Sequence, residues 1–322
     1  MNVKSSLWRV VAAALTSGVV LAGCGSGGDA AQADGETRTV QHELGEAEVP
    51  VSPETVVALD PYYSLPTALA AGANVVGSSH RQFGEPFPSY LDEFDTEGVE
   101  NVGWFTELDI EKIMTLNPDV IVGLSSFVEA DYEQLSKIAP TVAVSMDAMR
   151  WQETLGVIGD AIGKPDEVAA SLADYQSQVE GLAGELDAAG LQEEPVSLLN
   201  IRAVDDLRVY TRSCSAAILG DLGLPVHLED ETEEGGNSVN LSIERLTDAD
   251  AATMFYFVGS AGSNPEDVEA AYEEVSTHPL WERLEAVEND RAHQVNAEWW
   301  FDCGSVQAAT RVLTDVSDLM LA

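Results

Sequence analysis

Six apolar residues near the middle of the chain decide its architecture. Val168, Leu172, Tyr175, Val179, Leu182 and Leu186 recur at intervals of four, three, four, three and four. That spacing belongs to an α-helix with one face buried. Pro165, Asp166 and Glu167 stand where such a helix starts; there a missing amide costs nothing and negative charge meets the positive end of the helix dipole. A helix from Pro165 to about Ala189 would be ~37 Å long. The stripe is too short for a coiled-coil arm, so it reads as a rigid strut joining two lobes.

On either side of it, short β-branched runs alternate with amphipathic stretches, the pattern of α/β layers with mainly parallel strands. Before the strut, the pattern predicts a leading hairpin at 37–43 and 46–49. Strands follow at 56–59, 74–77, 119–122 and 141–144, with helices at 64–71, 108–116 and 127–139. After it, strands are expected at 196–201, 208–210, 253–258 and 292–295, and helices at 215–222, 243–247, 265–275 and 305–318. The expected fold class is therefore α/β: two lobes with central, mainly parallel sheets joined by one long helix. An N-terminal lobe at 37–150 and a C-terminal lobe at 191–322 would flank a helical segment at 151–190.

The first residues look like an address. Lys4 and Arg9 precede an apolar run from Val10 to Val20, and Leu21-Ala22-Gly23-Cys24 has the form of a bacterial lipoprotein cleavage site. Residues 1–23 would be removed as a signal peptide and Cys24 acylated, which anchors a protein to a membrane without a spanning helix. Gly25-Ser26-Gly27-Gly28 opens a flexible tether over 24–36. The expected location is extracytoplasmic, on the cell membrane. With Cys24 used for lipid, Cys214 and Cys303 remain as an even pair in an oxidising compartment. A disulfide between them is the preferred reading; two separate buried thiols are the alternative.

Fifty-six Asp and Glu against fifteen Lys and Arg give a net charge of −41, which excludes nucleic-acid binding. The 45% hydrophobic content excludes an acidic disordered chain. No nucleophile elbow, phosphate loop, dinucleotide fingerprint or zinc-protease motif occurs, and the five histidines lack metal-ligand spacing. An enzyme is therefore not expected, nor a cofactor or resident metal. What stands out is large aromatics at loop positions: Tyr62 and Tyr63, Trp104 and Phe105, and Trp299, Trp300 and Phe301. In open α/β sheets such loops line a ligand cleft. Tyr210 joins them as a candidate contact, and Arg81, Arg202 and Arg212 gain weight because arginine is scarce. A guanidinium can clamp ligand oxygens or stack on a planar ligand. A faint repeat, Ile110-Glu111-Lys112-Ile113 and Ile243-Glu244-Arg245-Leu246, precedes an expected strand in each half.

Longer motifs carry a family resemblance. Val56-Val57-Ala58-Leu59-Asp60, Leu69-Ala70-Ala71-Gly72-Ala73-Asn74-Val75-Val76-Gly77 and Asp109-Ile110-Glu111-Lys112-Ile113 lead into Leu116-Asn117-Pro118-Asp119-Val120-Ile121-Val122. With Ala217-Ile218-Leu219-Gly220-Asp221-Leu222-Gly223-Leu224-Pro225, the chain resembles the helical-backbone substrate-binding lipoproteins of iron-siderophore, haem and cobalamin ABC importers. The resemblance implies a monomer that captures a metal chelate between its lobes and delivers it to a permease, with iron present only as part of the ligand. It also implies permease docking through Glu111 and Glu244. A ferric siderophore is the expected ligand, with the hydroxamate type favoured because a strongly acidic molecule suits neutral or cationic chelates. Haem, cobalamin or a free zinc or manganese ion bound through His80 or His293 are the alternatives. A lipoprotein hydrolase is a more distant one.

Overall fold

The 25-residue helix begins at Pro165 and runs to Ala189, where Gly190, in the left-handed region at φ 74°, ends it. Val168, Tyr175, Val179, Leu182 and Leu186 are buried along one stripe, and Leu172 is half-buried against the same core. The computed structural model describes residues 36–82, 84–259 and 265–322. The signal segment, Cys24 and nearly all of the tether lie outside the described residues.

Before the long helix come β1 (Thr37–His42) and β2 (Gly45–Pro50), a hairpin, then β3 (Val56–Ala58), α1 (Ser64–Ala70) and β4 (Val75–His80). They are followed by β5 (Glu100–Trp104), β6 (Glu107–Leu108), α2 (Ile110–Leu116), β7 (Val120–Leu124), α3 (Ser125–Val128), α4 (Tyr132–Leu135), β8 (Thr141–Val144) and α5 (Trp151–Ala161). The long helix is α6. After it come β9 (Val196–Ala203), β10 (Asp206–Tyr210), α7 (Cys214–Asp221), β11 (Ser238–Leu241), β12 (Thr253–Val258) and α8 (Pro265–Ser276). The chain ends with α9 (Glu285–Glu288), β13 (Ala292–Gln294), α10 (Ala297–Trp300) and α11 (Val306–Met320).

The first lobe holds a six-stranded sheet in the order β6-β5-β4-β3-β7-β8, parallel except at β6. In the second, a five-stranded sheet runs β11-β10-β9-β12-β13. Only β9, β12 and β13 are parallel there; β10 and β11 are antiparallel. Parallel pairings predominate over the two sheets, as expected, while the second sheet is half antiparallel. Two residues, Val204 and Asp205, separate β9 from β10, and a connection that short permits only a hairpin. The helix expected over 127–139 is broken into α3, a 3-10 turn at Glu129–Asp131 and α4.

Residues 36–322 form one compact unit. One apolar cluster runs through both sheets: Val56, Ala58 and Val122 from the first, Leu198, Phe255 and Phe257 from the second, and the buried stripe of α6 between them. Helix α6 packs on α5 of the first lobe and α11 of the second. Trp151 of α5 sits edge-on to Tyr175 of α6, with ring centroids 5.2 Å apart. Since Trp151 is only 1% exposed, Trp151→Ala should cost about 3 to 5 kcal/mol. Urea denaturation measures this; a loss under about 1 kcal/mol would mean the strut is not anchored there.

Candidate functional site

The cleft between the lobes starts from a buried carboxylate. At the end of β3, Asp60 Oδ1 accepts hydrogen bonds from the backbone N–H groups of Tyr62 (3.1 Å), Tyr63 (2.6 Å) and Ser64 (3.1 Å). Burial pushes the Asp60 pKa up while these bonds oppose it. The turn they fix projects two tyrosines beyond the carboxyl end of a parallel strand. Tyr62 meets Phe105 edge-on at 5.9 Å, and Phe105 meets Phe127 at 4.8 Å. Together these rings make the first wall.

The second wall is a ring cluster on the other sheet. Tyr210 stacks on Phe257 with centroids 6.1 Å apart and meets Phe301 edge-on at 5.6 Å. A disulfide between Cys214 and Cys303, with Cα atoms 5.8 Å apart, ties the segment carrying Phe301 and Asp302 to the start of α7. The lobes touch at the base of the cleft. A Cβ placed on Gly304 would fall 2.0 to 2.4 Å from ring carbons of Tyr63, so only glycine lets that ring lie on the backbone. The cavity holds about 300 Å³, at the lower end of the range of small-molecule sites.

Charge is sparse in this cleft. Arg212 is exposed on its lining, and no carboxylate pairs with it among the described residues. Asp302 lines the floor, its pKa pushed up to about 8 by burial, with Arg81 opposing and Glu298 adding to the shift.

Of the aromatics expected from sequence, Tyr62, Tyr63, Phe105 and Tyr210 line the cleft. Trp104 is 40% exposed on β5, outside this lining. Trp299 and Trp300 correct the expectation: both indole N–H groups donate to Asp315 Oδ2 of α11 at 2.7 Å, and Trp300 is fully buried against Phe255. The single turn of α10 places Trp300 in the core and Trp299, half-buried, against its edge, and leaves Phe301 facing the cleft. Arg81 is committed to Glu298 of the other lobe at 2.6 Å. Arg202 pairs with Asp206 at 3.3 Å beside the β9–β10 turn. Because β10 runs back antiparallel, the cleft-lining segment 210–214 lies at the opposite end of the sheet from Arg202. Phe127, Met146, Asn237 and Asp302 also line the cleft and were not anticipated. Asp302, adjacent to the expected disulfide, was the one with a usable signal.

Glu111 is exposed in the first turn of α2, and Glu244 in the first turn of a 3-10 helix, Ile243–Ala249. The Ser242 side chain holds the Glu244 carboxyl below its usual pKa. His80 packs edge-on to Phe87 at 4.8 Å and His293 lies tilted beside Phe255. Among the described residues, no three His, Cys, Asp or Glu side chains converge to hold a metal ion.

Comparison with known proteins agrees with this geometry. The family described as "Periplasmic binding protein" matches residues 56–295. The probable siderophore-binding lipoprotein YfiY of Bacillus subtilis is 31% identical over 312 residues, 94% of each chain. The iron(3+)-hydroxamate-binding protein FhuD of the same organism is 31% identical over 288 residues, 86% of each chain. The crystal structure of Staphylococcus aureus SirA complexed with staphyloferrin B superposes with a TM-score of 0.80 at 25% identity, covering 88% of this chain and 99% of that one.

The raised pKa of Asp302 has a stability consequence with a definite sign. Its folded value, about 8, lies above the unfolded one near 3.8. The group therefore contributes stability that is full below about pH 4 and is lost as pH rises through about 8. Asp302→Asn removes that loss, so its Tm relative to wild type should climb between about pH 5 and pH 8.5. A Tm difference independent of pH would show that the carboxyl titrates normally.

Proposed function

The chain belongs to the periplasmic binding protein family, and from that premise we propose that it captures a ferric siderophore, the hydroxamate type favoured, and hands it to an ABC importer. The observation that carries this reading is a pair of ring-lined walls, one from each lobe, facing a cleft with one unpaired cation among its described residues. Flat aromatic faces suit the organic shell of a chelate, where dispersion and area burial supply affinity without directional bonding. A strongly anionic tris-catecholate would need several cations to offset its charge in a partly desolvated site. A neutral or weakly charged hydroxamate chelate needs none. Arg212 favours one further reading, a carboxylate-type chelate whose free carboxylate it would clamp.

In this account the protein works extracytoplasmically, held to the membrane by a lipid on Cys24, as a monomer that binds stoichiometrically without turnover. Glu111 and Glu244, one exposed on each lobe, present the charges that would meet arginines of a permease dimer. Ligand binding would leave the lobes nearly in place, because they share one core.

Two measurements test this. Titration calorimetry with ferric trihydroxamates should give one ligand per protein, and Phe105→Ala or Phe301→Ala should each weaken binding about tenfold; unaltered affinity in both variants would remove the cleft from the account. In iron-limited cells, Glu111→Lys together with Glu244→Lys should abolish uptake while the purified variant binds ligand as wild type does. Undiminished uptake would rule out docking through this pair.

A further inference from the structure

One corner of the cleft floor contains polar groups that the protein itself leaves unused. Asp302 lines the cleft, and no hydrogen bond or ion pair reaches its carboxyl among the described residues. Its backbone carbonyl, by contrast, accepts from the Tyr90 hydroxyl at 3.5 Å. Tyr62 is 6% exposed, and its hydroxyl oxygen is buried with no partner among the described residues. The Asp302 carboxyl is close enough to that phenol to raise its pKa once ionised. Leaving a hydroxyl buried and unpaired costs about 1 to 3 kcal/mol, so an acceptor oxygen brought to this corner by a ligand would be favoured.

We propose that the Asp302 carboxyl is a specificity-determining group that hydrogen-bonds an oxygen of the bound chelate, with the Tyr62 hydroxyl beside it in the same corner of the cleft. This deepens the siderophore reading and rests on it.

The surroundings of the carboxyl favour the acid over the carboxylate. Tyr62, Tyr63 and Tyr90 face it from the turn after β3 and from the 3-10 helix Ser89–Leu91, and burial raises the pKa of all three, so all remain neutral phenols. Arg81, from the end of β4, is the nearest cation, but it is already bonded to Glu298 of α10 at 2.6 Å. Glu298 also accepts from the Ser89 backbone N–H, at 3.2 Å, and from the Ser89 hydroxyl. The ion pair is thus closed on itself and offers Asp302 little net charge. Asp60 lies behind the tyrosines, with Oδ1 accepting from their amides and Oδ2 from the Ser64 hydroxyl. Arg212 is the charged group on the opposite lining. Desolvation therefore prevails, and the group keeps its proton to about pH 8. A neutral acid that donates is a good match for an uncharged, oxygen-rich ligand and a poor one for an anion-only clamp.

No covalent bond is made or broken; the proton stays on the carboxyl and is shared with the ligand oxygen. Linkage then sets the sign: a ligand that needs the acid form binds more weakly once the free protein loses that proton.

The experiment is calorimetry with a neutral cyclic ferric trihydroxamate from about pH 6.5 to pH 9.5, run in buffers of different ionisation enthalpy. For the wild type, affinity should be level at the acid end and fall by up to about tenfold per pH unit above about 8, with up to about half a proton taken up on binding near pH 8. Asp302→Ala should weaken binding at neutral pH about tenfold. Asp302→Asn, which retains a donor that cannot ionise, should weaken it less and abolish the pH dependence. A level wild-type profile with intact binding overturns this inference alone. Affinity that rises with pH and releases protons overturns it too, because the carboxylate would then be receiving a ligand cation. Failure to bind any ferric chelate overturns it together with the siderophore reading.

Discussion

The packing of α6 between α5 and α11 is what allows two α/β sheets to act as one rigid body. Its buried stripe belongs to an apolar cluster that includes residues of both sheets, so opening the molecule would expose core. Two closer contacts cross the cleft as well. The Tyr63 ring rests on the backbone of Gly304, and Arg81 bonds Glu298 with only 11% of its side chain exposed. Close packing of this kind resists graded deformation, and the cleft above it is therefore already formed before any ligand arrives.

Electrostatics works at two scales here. The molecule carries a net charge of −41, yet the described residues of its cleft present rings, one arginine without an ion pair among them and a carboxyl whose pKa burial pushes up to about 8. The overall field disfavours anionic ligands at long range. Inside, selection falls to shape, apolar contact and a few donors. The disulfide contributes by fixing the segment with Phe301 and Asp302 beside Tyr210, so the second wall needs no ligand to order it.

Much of the scaffold was legible because it depends on local periodicity. The stripe of α6, the strand at 253–258 and the hairpin before residue 50 each follow their patterns. Strand β5 did not, since only Val102 of its five residues is buried and the rest read as loop. The site was harder for a different reason. Aromatic residues in a loop announce burial somewhere, but a single turn of helix, α10, decided that Trp299 and Trp300 reach Asp315 while Phe301 reaches the cleft. Arginine scarcity was a poor guide to place: Arg81 and Arg202 found carboxylates, and Arg212 did not among the described residues. Such pairings arise between residues distant in sequence or across a hairpin turn, and no spacing rule encodes them.

Small-angle X-ray scattering of the protein with and without a saturating ferric trihydroxamate addresses the central claim directly. If both lobes share one core and the cleft is preformed, the two scattering profiles will coincide and the radius of gyration will stay the same within error. A compaction on binding, of the size produced by hinged domains closing, would contradict the account.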